Sequence, residues 1–340
     1  MTHPVFRQPP KMIARRRFLQ LAAGAGVAAP AFSRVAIAQA YPSRPITMIV
    51  PYPAGGPTDT VGRTVAERMR AELGQPIVLE NVTGAAGSIG LGRVARAAPD
   101  GYTIEVGNWS AHVVNGAIYN LPYDLKTDFA PIILCARAPE VVLSRKTIPA
   151  NDLQGLIAWA KEHSGKYTIG TSGAGSAPHV AALLFLKLTS TEAQVVPYRG
   201  SAPSIQDLAA GQIDIVITDP TSSVPQIRAG NIKGYAITAA KRIAAAPEIP
   251  TVDEAGLAGF YVATWNGLLA PKGTPKSIIA QLNAAGVTAL ADPAVRKLLT
   301  ELGQELPPRE EQTPESFSAL LQADIEKWWP IIKAANIKPD

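Results

Sequence analysis

Residues 46–59 of this chain read ITMIVPYPAGGPTD. The first five letters form an apolar, β-branched run, which predicts a buried strand. The Pro- and Gly-rich loop ends this strand, and a helix is predicted from about Thr58-Asp59. Apolar residues at four-residue spacing from Val61 to Leu73 support the helix, and Gly74 predicts its end. Such a strand–loop–helix unit is typical of a parallel α/β sheet.

The same alternation recurs along the chain. Further strands are predicted at 77–80, 102–106, 167–170, 194–197, 213–218 and 232–238. Further helices are predicted at 153–163, 178–188, 202–209, 275–291 and 317–335. Residues 263–270 can return the chain to its first half. We therefore predict an α/β protein with a discontinuous domain, 41–140 and 264–340, and an inserted domain, 141–263. Two chain crossings would join them, and ligands prefer clefts between domains.

Composition indicates a globular chain, and charge gives no sign of nucleic-acid binding. The 340 residues are 47% hydrophobic and 17% charged, which excludes wholesale disorder and a coiled coil. The net charge of +5 comes from the first 40 residues, and the remainder carries 26 basic against 27 acidic residues. Without a basic stripe, the chain lacks the charge pattern of a nucleic-acid-binding protein.

The first 40 residues resemble an export signal. A basic segment runs to Arg17, an apolar segment follows over 18–32, and Ala38-Gln39-Ala40 matches a cleavage pattern. The segment Arg15–Leu19 resembles the twin-arginine signal. We therefore expect cleavage after Ala40 and a periplasmic protein; an amphipathic N-terminal helix of a cytosolic protein is the alternative. The lone cysteine, Cys135, fits an exported chain and is expected to be a core residue.

Loops of small residues follow several predicted strands. In an open parallel sheet, ligands bind beyond the carboxyl ends of the strands. Gly, Ala, Ser and Thr let an anion approach backbone N–H groups at the start of the next helix. The loops are 54–59, 84–88, 173–176 and 198–201. Any one of them could merely join a strand to a helix. No phosphate-binding motif is present, which favours a carboxylate over a phosphate.

Catalytic and metal motifs are scarce. The sequence holds no H-E-x-x-H or paired C-x-x-C, so we expect no metal, no cofactor and no catalytic residue. Residues 170–174 nearly match the G-x-S-x-G turn of hydrolases at Ser172. That fold needs an acid and then a histidine after the serine. The last histidine is His179, and no acidic residue separates the two, so a serine hydrolase is only the runner-up.

Four side chains near these loops have alternative roles. His179 either bonds a ligand or caps a neighbouring loop. Asp219 either receives a ligand amine or hydroxyl, or begins the next helix. Trp109 is expected to line the cleft, and Trp265 to pack near the hinge.

An ordered set of motifs resembles the Bug family, the periplasmic solute-binding proteins of tripartite tricarboxylate transporters. The matching segments are PYPAGGPTD (51–59), ENVTGAAG (80–87), LPYD (121–124), DFAP (128–131), PYRG (197–200), DLAAG (207–211) and APKGTP (270–275). The resemblance covers the chain from residue 41. It implies a two-lobed, Venus-flytrap (type II periplasmic-binding-protein) fold. It also implies a small carboxylate ligand, either a dicarboxylate, a tricarboxylate, an acidic amino acid or an aromatic acid.

In the family that the chain resembles, small-residue loops of one lobe hold the ligand carboxylate and the other lobe gives selectivity. The resemblance therefore implies a set of candidate ligand-binding residues. They are Tyr52, Gly56, Pro57, Thr58, Asp59, Ala86, Gly87, Asn108, Trp109, Ser110, Ser176, His179, Tyr198 and Asp219. Two positions depart from the family pattern. Pro57 lacks the usual N–H donor, and Asn108-Trp109 replaces smaller residues, which favours a bulkier acid or a narrower pocket.

We therefore expect a monomeric, non-catalytic solute-binding protein that delivers a carboxylate to membrane permease subunits. A ligand sensor for a signalling partner is a further alternative, which the sequence does not separate from transport.

Overall fold

The computed structural model describes residues 41–335. The predicted export signal and its cleavage after Ala40 lie outside the described residues. The strands are β1 (Ile46–Val50), β2 (Ile77–Asn81), β3 (Thr103–Asn108), β4 (Phe129–Pro139), β5 (Val141–Arg145), β6 (Thr168–Thr171), β7 (Gln194–Pro197), β8 (Ile215–Thr218), β9 (Ile232–Ile237) and β10 (Ala263–Pro271).

The helices connect these strands. They are α1 (Pro57–Leu73), α2 (Ser88–Ala95), α3 (Asn115–Ile118), α4 (Leu153–Glu162), α5 (Ala177–Thr189), α6 (Ser201–Ala209), α7 (Pro220–Arg228), α8 (Lys276–Ala291), α9 (Pro293–Glu301) and α10 (Pro314–Ala334). A π-helical turn, Ser110–Val114, precedes α3, and short 3₁₀ turns lie at Ala85–Gly87 and Arg309–Glu311. Within residues 41–335 no single helix is long and apolar enough to cross a membrane; only the bent pair α8–α9 passes that test together.

The first strand and helix form as the sequence predicts. β1 pairs in parallel with β2 on one side and β3 on the other. Pro57 occupies the first turn of α1, where its missing N–H costs no helical bond. The helix ends at Gly74, whose φ of 65° favours glycine. Val61, Val65 and Met69 are buried and pack into the core beside β1.

The first sheet has the order β2-β1-β3-β10-β4. Its first three strands are parallel, as predicted, whereas β10 runs antiparallel to both β3 and β4. Strand β4 was not predicted from sequence, because Pro131 and Pro139 interrupt an apolar run that shows no alternation. Cys135 lies in β4, fully buried as expected, and burial raises the pKa of its thiol to about 12.

The second sheet has the order β7-β6-β8-β5-β9. β6 is parallel to β7 and β8, whereas β5 is antiparallel to β8 and β9. The chain passes from the first sheet to the second through Glu140 alone, which separates β4 from β5, and it returns between β9 and β10. The molecule is therefore a two-lobed α/β protein, with one sheet and its helices in each lobe. The domain boundaries within these connections stay a prediction.

Candidate functional site

A cleft of about 610 Å³ is lined by residues of both lobes. Its walls are loops that follow β1, β3, β6 and β8, and its floor includes β10 and Glu140. The residues that line it are Tyr52, Pro53, Ala54, Gly55, Gly56, Pro57, Thr58, Asn108, Ser110, Ala138, Glu140, Ser172, Ala177, Pro178, Ser201, Thr218, Asp219, Thr221, Thr264, Trp265, Asn266 and Gln304.

The cleft brings together half of the candidate residues from the sequence. Those that line it are Tyr52, Gly56, Pro57, Thr58, Asn108, Ser110 and Asp219. Those that lie outside its lining are Asp59, Ala86, Gly87, Trp109, Ser176, His179 and Tyr198.

The start of α1 presents backbone donors to the cleft. Gly56 precedes the helix in an extended conformation, and no side chain caps its amides. The first helical bond joins the Thr60 N–H to the Gly56 carbonyl. The N–H groups of Thr58 and Asp59 come before this bond, so they have no acceptor within the helix. The positive end of the helix dipole adds to their attraction for an anion.

Asn108 joins the loop that follows β1 to the segment that follows β3. Its Oδ1 accepts hydrogen bonds from the Tyr52 hydroxyl and the Ala111 N–H, both at 3.0 Å. Its Nδ2 donates to the Thr58 Oγ1 at 3.3 Å. Burial raises the pKa of the Tyr52 hydroxyl well above its usual value, so the hydroxyl remains a donor. One amide side chain thus holds three parts of this wall in place.

Asp59 stabilises the loop from behind instead of facing the cleft. Its carboxylate accepts two hydrogen bonds from Arg63, one from the Asn81 amide and one from the Gly55 N–H, all at 2.8–2.9 Å. The hydrogen bonds from Arg63 lead the causes that lower the pKa of Asp59 to about 2. These partners contact both oxygens, so the carboxylate supports the loop, and a direct contact of Asp59 with ligand stays a prediction.

The second small-residue loop lies behind Tyr52. The Ala86 carbonyl accepts from the Asn115 Nδ2 at 2.8 Å and from the Tyr52 hydroxyl at 3.3 Å. Gly87 has a φ of 92°, and a Cβ there would lie 3.2 Å from the Cβ of Pro51. Ala86 and Gly87 therefore support the wall from outside the lining, and their contact with a ligand stays a prediction.

Trp109 is a core residue and not part of the cleft. It is fully buried, and its ring meets that of Trp328 edge-on at 5.6 Å. The chain turns into the π-helical segment at this point, so successive side chains point in different directions. Asn108 and Ser110 consequently face the cleft while Trp109 faces the core. Trp265 borders the cleft, but it is only 1% exposed; its ring meets that of Phe317 edge-on at 5.0 Å, and its Nε1 donates to Asp324 at 2.8 Å.

Three candidate side chains of the second lobe shape their own loops. Ser176 caps α5 by accepting from the His179 N–H, and its hydroxyl donates to the Gly173 carbonyl at 2.8 Å. The His179 Nδ1 accepts from the Gly175 N–H at 3.1 Å, which is the loop-capping alternative. The Tyr198 hydroxyl donates to Asp207 at 2.7 Å. None of the three belongs to the lining of the cleft, and their contact with a ligand stays a prediction.

Asp219 begins the next helix, one of the two roles considered for it, and that it receives a ligand amine or hydroxyl stays a prediction. Its carboxylate caps α7 by accepting from the Ser222 N–H at 3.0 Å and from the Ser222 hydroxyl at 2.9 Å. It also lines the cleft. Nearby, the Ser201 hydroxyl contacts those of Ser172 at 3.0 Å and Thr218 at 2.8 Å, so this wall carries several hydroxyl groups.

Several polar residues of the cleft were not predicted from sequence. They are Glu140, Thr218, Thr221, Thr264, Asn266 and Gln304, whereas Ser201 belongs to the predicted loop 198–201. Glu140 is the most unusual, because only 2% of its surface is exposed and its Oε2 has no hydrogen-bond partner. A single acid in the otherwise apolar run from Ala138 to Leu143 was the available signal. Burial, and secondarily the charge of Asp219, raise the pKa of Glu140 well above its usual value.

The charges of the cleft are unusual for an anion site. Among the described residues that line it, there is no lysine, arginine or histidine, and the acids are Glu140 and Asp219. Over residues 41–335, no group of three His, Cys, Asp or Glu side chains is arranged to hold a metal ion. Any anion bound here would be held by backbone N–H groups and neutral side chains.

Comparisons with known proteins agree with this architecture. Residues 61–337 match the family described as "Tripartite tricarboxylate transporter family receptor". The chain is similar to the protein BugT of Bordetella pertussis, with 32% identity over 93% of this chain and 95% of that protein. MatC from Rhodopseudomonas palustris, solved with bound malate, superposes with a TM-score of 0.73 and 39% identity, covering 86% of this chain and all of MatC. Rpa4515 of R. palustris, solved with adipate, superposes with a TM-score of 0.74 and 34% identity, covering 88% of this chain and all of Rpa4515.

Proposed function

The chain belongs to the tripartite tricarboxylate transporter receptor family, a family of solute-binding proteins, and we propose that it captures one small carboxylate in the cleft between its lobes. The observation that carries this proposal is the start of α1, where Gly56, Pro57 and Thr58 line the cleft and the Thr58 and Asp59 N–H groups have no helical acceptor. A carboxylate accepts such bonds and is attracted by the helix dipole. The ligands of MatC and Rpa4515, malate and adipate, belong to the same chemical class.

The remaining predictions concern the cellular context and belong to this proposal. Family receptors work with transporter permeases, so we infer a permease as the partner of the loaded protein. The twin-arginine-like segment Arg15–Leu19 and the cleavage after Ala40 would place the mature protein in the periplasm. Mass spectrometry of exported protein would be expected to find Tyr41 as the first residue.

The hydrolase alternative receives no support from the contacts of Ser172. Its hydroxyl lies 3.0 Å from the Ser201 hydroxyl, whereas the His179 Nδ1 accepts from the Gly175 N–H. Nucleophilic serines need a base within hydrogen-bond reach. We therefore keep binding without catalysis as the proposal.

The test is binding by the mature protein, residues 41–340, of a panel of carboxylates. The panel contains malate, succinate, adipate, citrate, aspartate and benzoate, with the corresponding amides as controls that lack the charge. A bound acid should raise the melting temperature with the logarithm of its concentration and be recovered unchanged. Thermal stabilisation by no member of the panel, or conversion of an ester that stops in the variant Ser172→Ala, would contradict the proposal.

A further inference from the structure

The floor of the cleft carries buried acceptors that no protein group satisfies. Glu140 Oε2, Asn266 Oδ1 and Gln304 Oε1 are all buried, and none has a hydrogen-bond partner in the protein. All three residues line the cleft, with exposed fractions of 2%, 6% and 9%. An unsatisfied buried acceptor costs about 1–3 kcal/mol, so such groups call for a donor that arrives from outside.

The sheet pairing explains why these three side chains share one surface. Ala138 lies opposite Thr264, and Asn266 lies two residues farther along β10. The bridge between Arg137 and Glu305 sets Gln304 beside Ala138. Side chains alternate along a strand, so these even-numbered positions face the cleft.

Glu140 continues the same side of β4 at the point where the chain enters the second lobe. It comes two residues after Ala138, at the crossing from β4 to β5. Its backbone is held firmly, because its N–H donates to the Thr238 Oγ1 at 2.8 Å and its carbonyl accepts from the Thr238 N–H at 2.9 Å. The backbone from which the Glu140 side chain extends is therefore fixed at the floor of the cleft.

The charges around Glu140 favour a positively charged hydrogen-bond donor for its carboxyl group. Asp219, at the start of α7, is the charged group that acts on it, and the other titratable group of the lining is Tyr52. The guanidinium of Arg137, the nearest cation along β4, instead pairs with Glu311 at 2.7 Å. An ammonium group would supply both hydrogen-bond donors and the missing positive charge, and buried charges are tolerated when they are paired.

We propose that the ligand is an amino carboxylate, whose ammonium group binds Glu140 while its carboxylate binds the start of α1. This inference rests on the proposed function and narrows its ligand class. The cleft would then discriminate by charge at both ends, with backbone N–H groups for the negative end and an acid for the positive end.

The protonation of Glu140 predicts how the affinity for the ligand depends on pH. Burial raises the pKa of this carboxyl, so the empty cleft retains a proton there under conditions where an exposed glutamate has lost it. An ammonium ligand displaces that proton to solvent and leaves an ion pair. Its affinity should therefore rise with pH until Glu140 is ionised in the empty protein. A plain dicarboxylate that accepts from the Glu140 O–H would show the opposite slope.

The experiment compares acids that differ only in an amino group. Calorimetry would measure the mature protein with aspartate against succinate, glutamate against glutarate, and 2-aminoadipate against adipate, at several pH values. We expect at least one amino member to bind at least tenfold more tightly than its partner, with an affinity that rises with pH. The variant Glu140→Gln removes the charge and keeps the size, so it should reduce that ratio at least tenfold.

The matched control is Glu305→Gln, which alters a half-buried glutamate that lies outside the lining of this cleft. It should leave the ratio unchanged. Tighter binding of the plain acids, or a ratio that Glu140→Gln does not alter, would overturn this inference while leaving carboxylate binding intact. If no carboxylate in either panel binds, the proposed function itself fails. Should Glu140→Gln not fold, the pH slope of the unmodified protein still decides between the two ligand classes.

Discussion

Asp59 carries its charge in the first turn of α1, and its partners determine what that charge does. Arg63 lies one turn later and pairs with it at 2.8 Å, while Asn81 reaches it from the end of β2. The carboxylate is 2% exposed, so its bonds are protected from solvent. It ties the Gly55 N–H to the helix, and this contact orders the loop that precedes the candidate anion site.

The variant Asp59→Asn should destabilise the protein at pH 7 by about 2 kcal/mol. The pKa of Asp59 is lowered in the folded protein to about 2, from 3.8, so its stabilising effect is present above about pH 4 and is lost as the pH falls towards 2. Urea unfolding at a series of pH values would measure this. The difference between variant and unmodified protein should shrink on acidification.

The control for this prediction is Glu67→Gln in the same helix. Glu67 is exposed and pairs with Arg70 at 3.6 Å. Exposed pairs contribute little, so this variant should change stability by less than about 0.5 kcal/mol. Equal losses in both variants, or a loss in Asp59→Asn that persists at pH 2, would show that the Asp59 pair is not the cause.

Neighbouring residues show the limit of prediction from sequence at this scale. The motif containing Asn108, Trp109 and Ser110 correctly indicated a wall of the cleft, yet the middle residue faces the core. A motif predicts where the backbone passes, whereas the direction of each side chain depends on the local turn. Here the π-helical segment from Ser110 sets that direction, and no residue pattern signalled it.

At the scale of elements, the start of α1 is the feature on which carboxylate capture depends. Pro57 occupies its first position and contributes no N–H. The variant Pro57→Ala would add one donor at the mouth of the helix. We expect several-fold tighter binding of a carboxylate ligand in calorimetry. We also expect a loss of stability of about 0.4–1 kcal/mol, because the unfolded chain becomes more flexible.

Pro293→Ala provides the matched control. Pro293 occupies the same position in α9, outside the lining of the cleft, where Asp292 caps the helix. This variant should lose a similar amount of stability with no change in affinity. Weaker binding by Pro57→Ala would mean that the rigid ring, and not the count of donors, governs the site.

The strands around Glu140 show why the boundary between β4 and β5 and the direction of β10 were not predicted from sequence. β4 and β5 are separated by one residue, so no turn signal divides them. β10 enters the first sheet between β3 and β4, from more than 100 residues along the chain. From sequence, residues 263–270 were expected only to return the chain to its first half, because the antiparallel pairing of β10 depends on partners that are distant in sequence.

At the scale of the whole molecule, contacts between the lobes close the sides of the cleft. The Thr221 hydroxyl, in α7 of the second lobe, donates to the Leu302 carbonyl at 2.6 Å. Leu302 follows α9, which packs on α8 and α1 of the first lobe. A ligand that touches both lobes binds best when they are close together, so this bond should favour the ligand-bound arrangement.

The variant Thr221→Val should therefore weaken ligand binding by about fivefold, since a hydrogen bond of this kind contributes about 1 kcal/mol. Stopped-flow measurements should find most of the change in the dissociation rate. Thr64→Val is the control, because the Thr64 hydroxyl donates to the Thr60 carbonyl within one lobe. If both variants bind like the unmodified protein, the Thr221 bond does not couple the lobes.

The sequence alone determined the α/β class, the order of most strands and helices, and the loops that carry the candidate anion site. These follow from residue periodicity and from Gly and Pro positions, which act over a few residues. Only the tertiary structure decided which side chains meet. It turned Trp109 inward, paired Asp59 with Arg63, and left the Glu140 Oε2 without a hydrogen-bond partner on the floor of the cleft. The physical reason is that burial and hydrogen-bond satisfaction depend on residues brought together from distant parts of the chain.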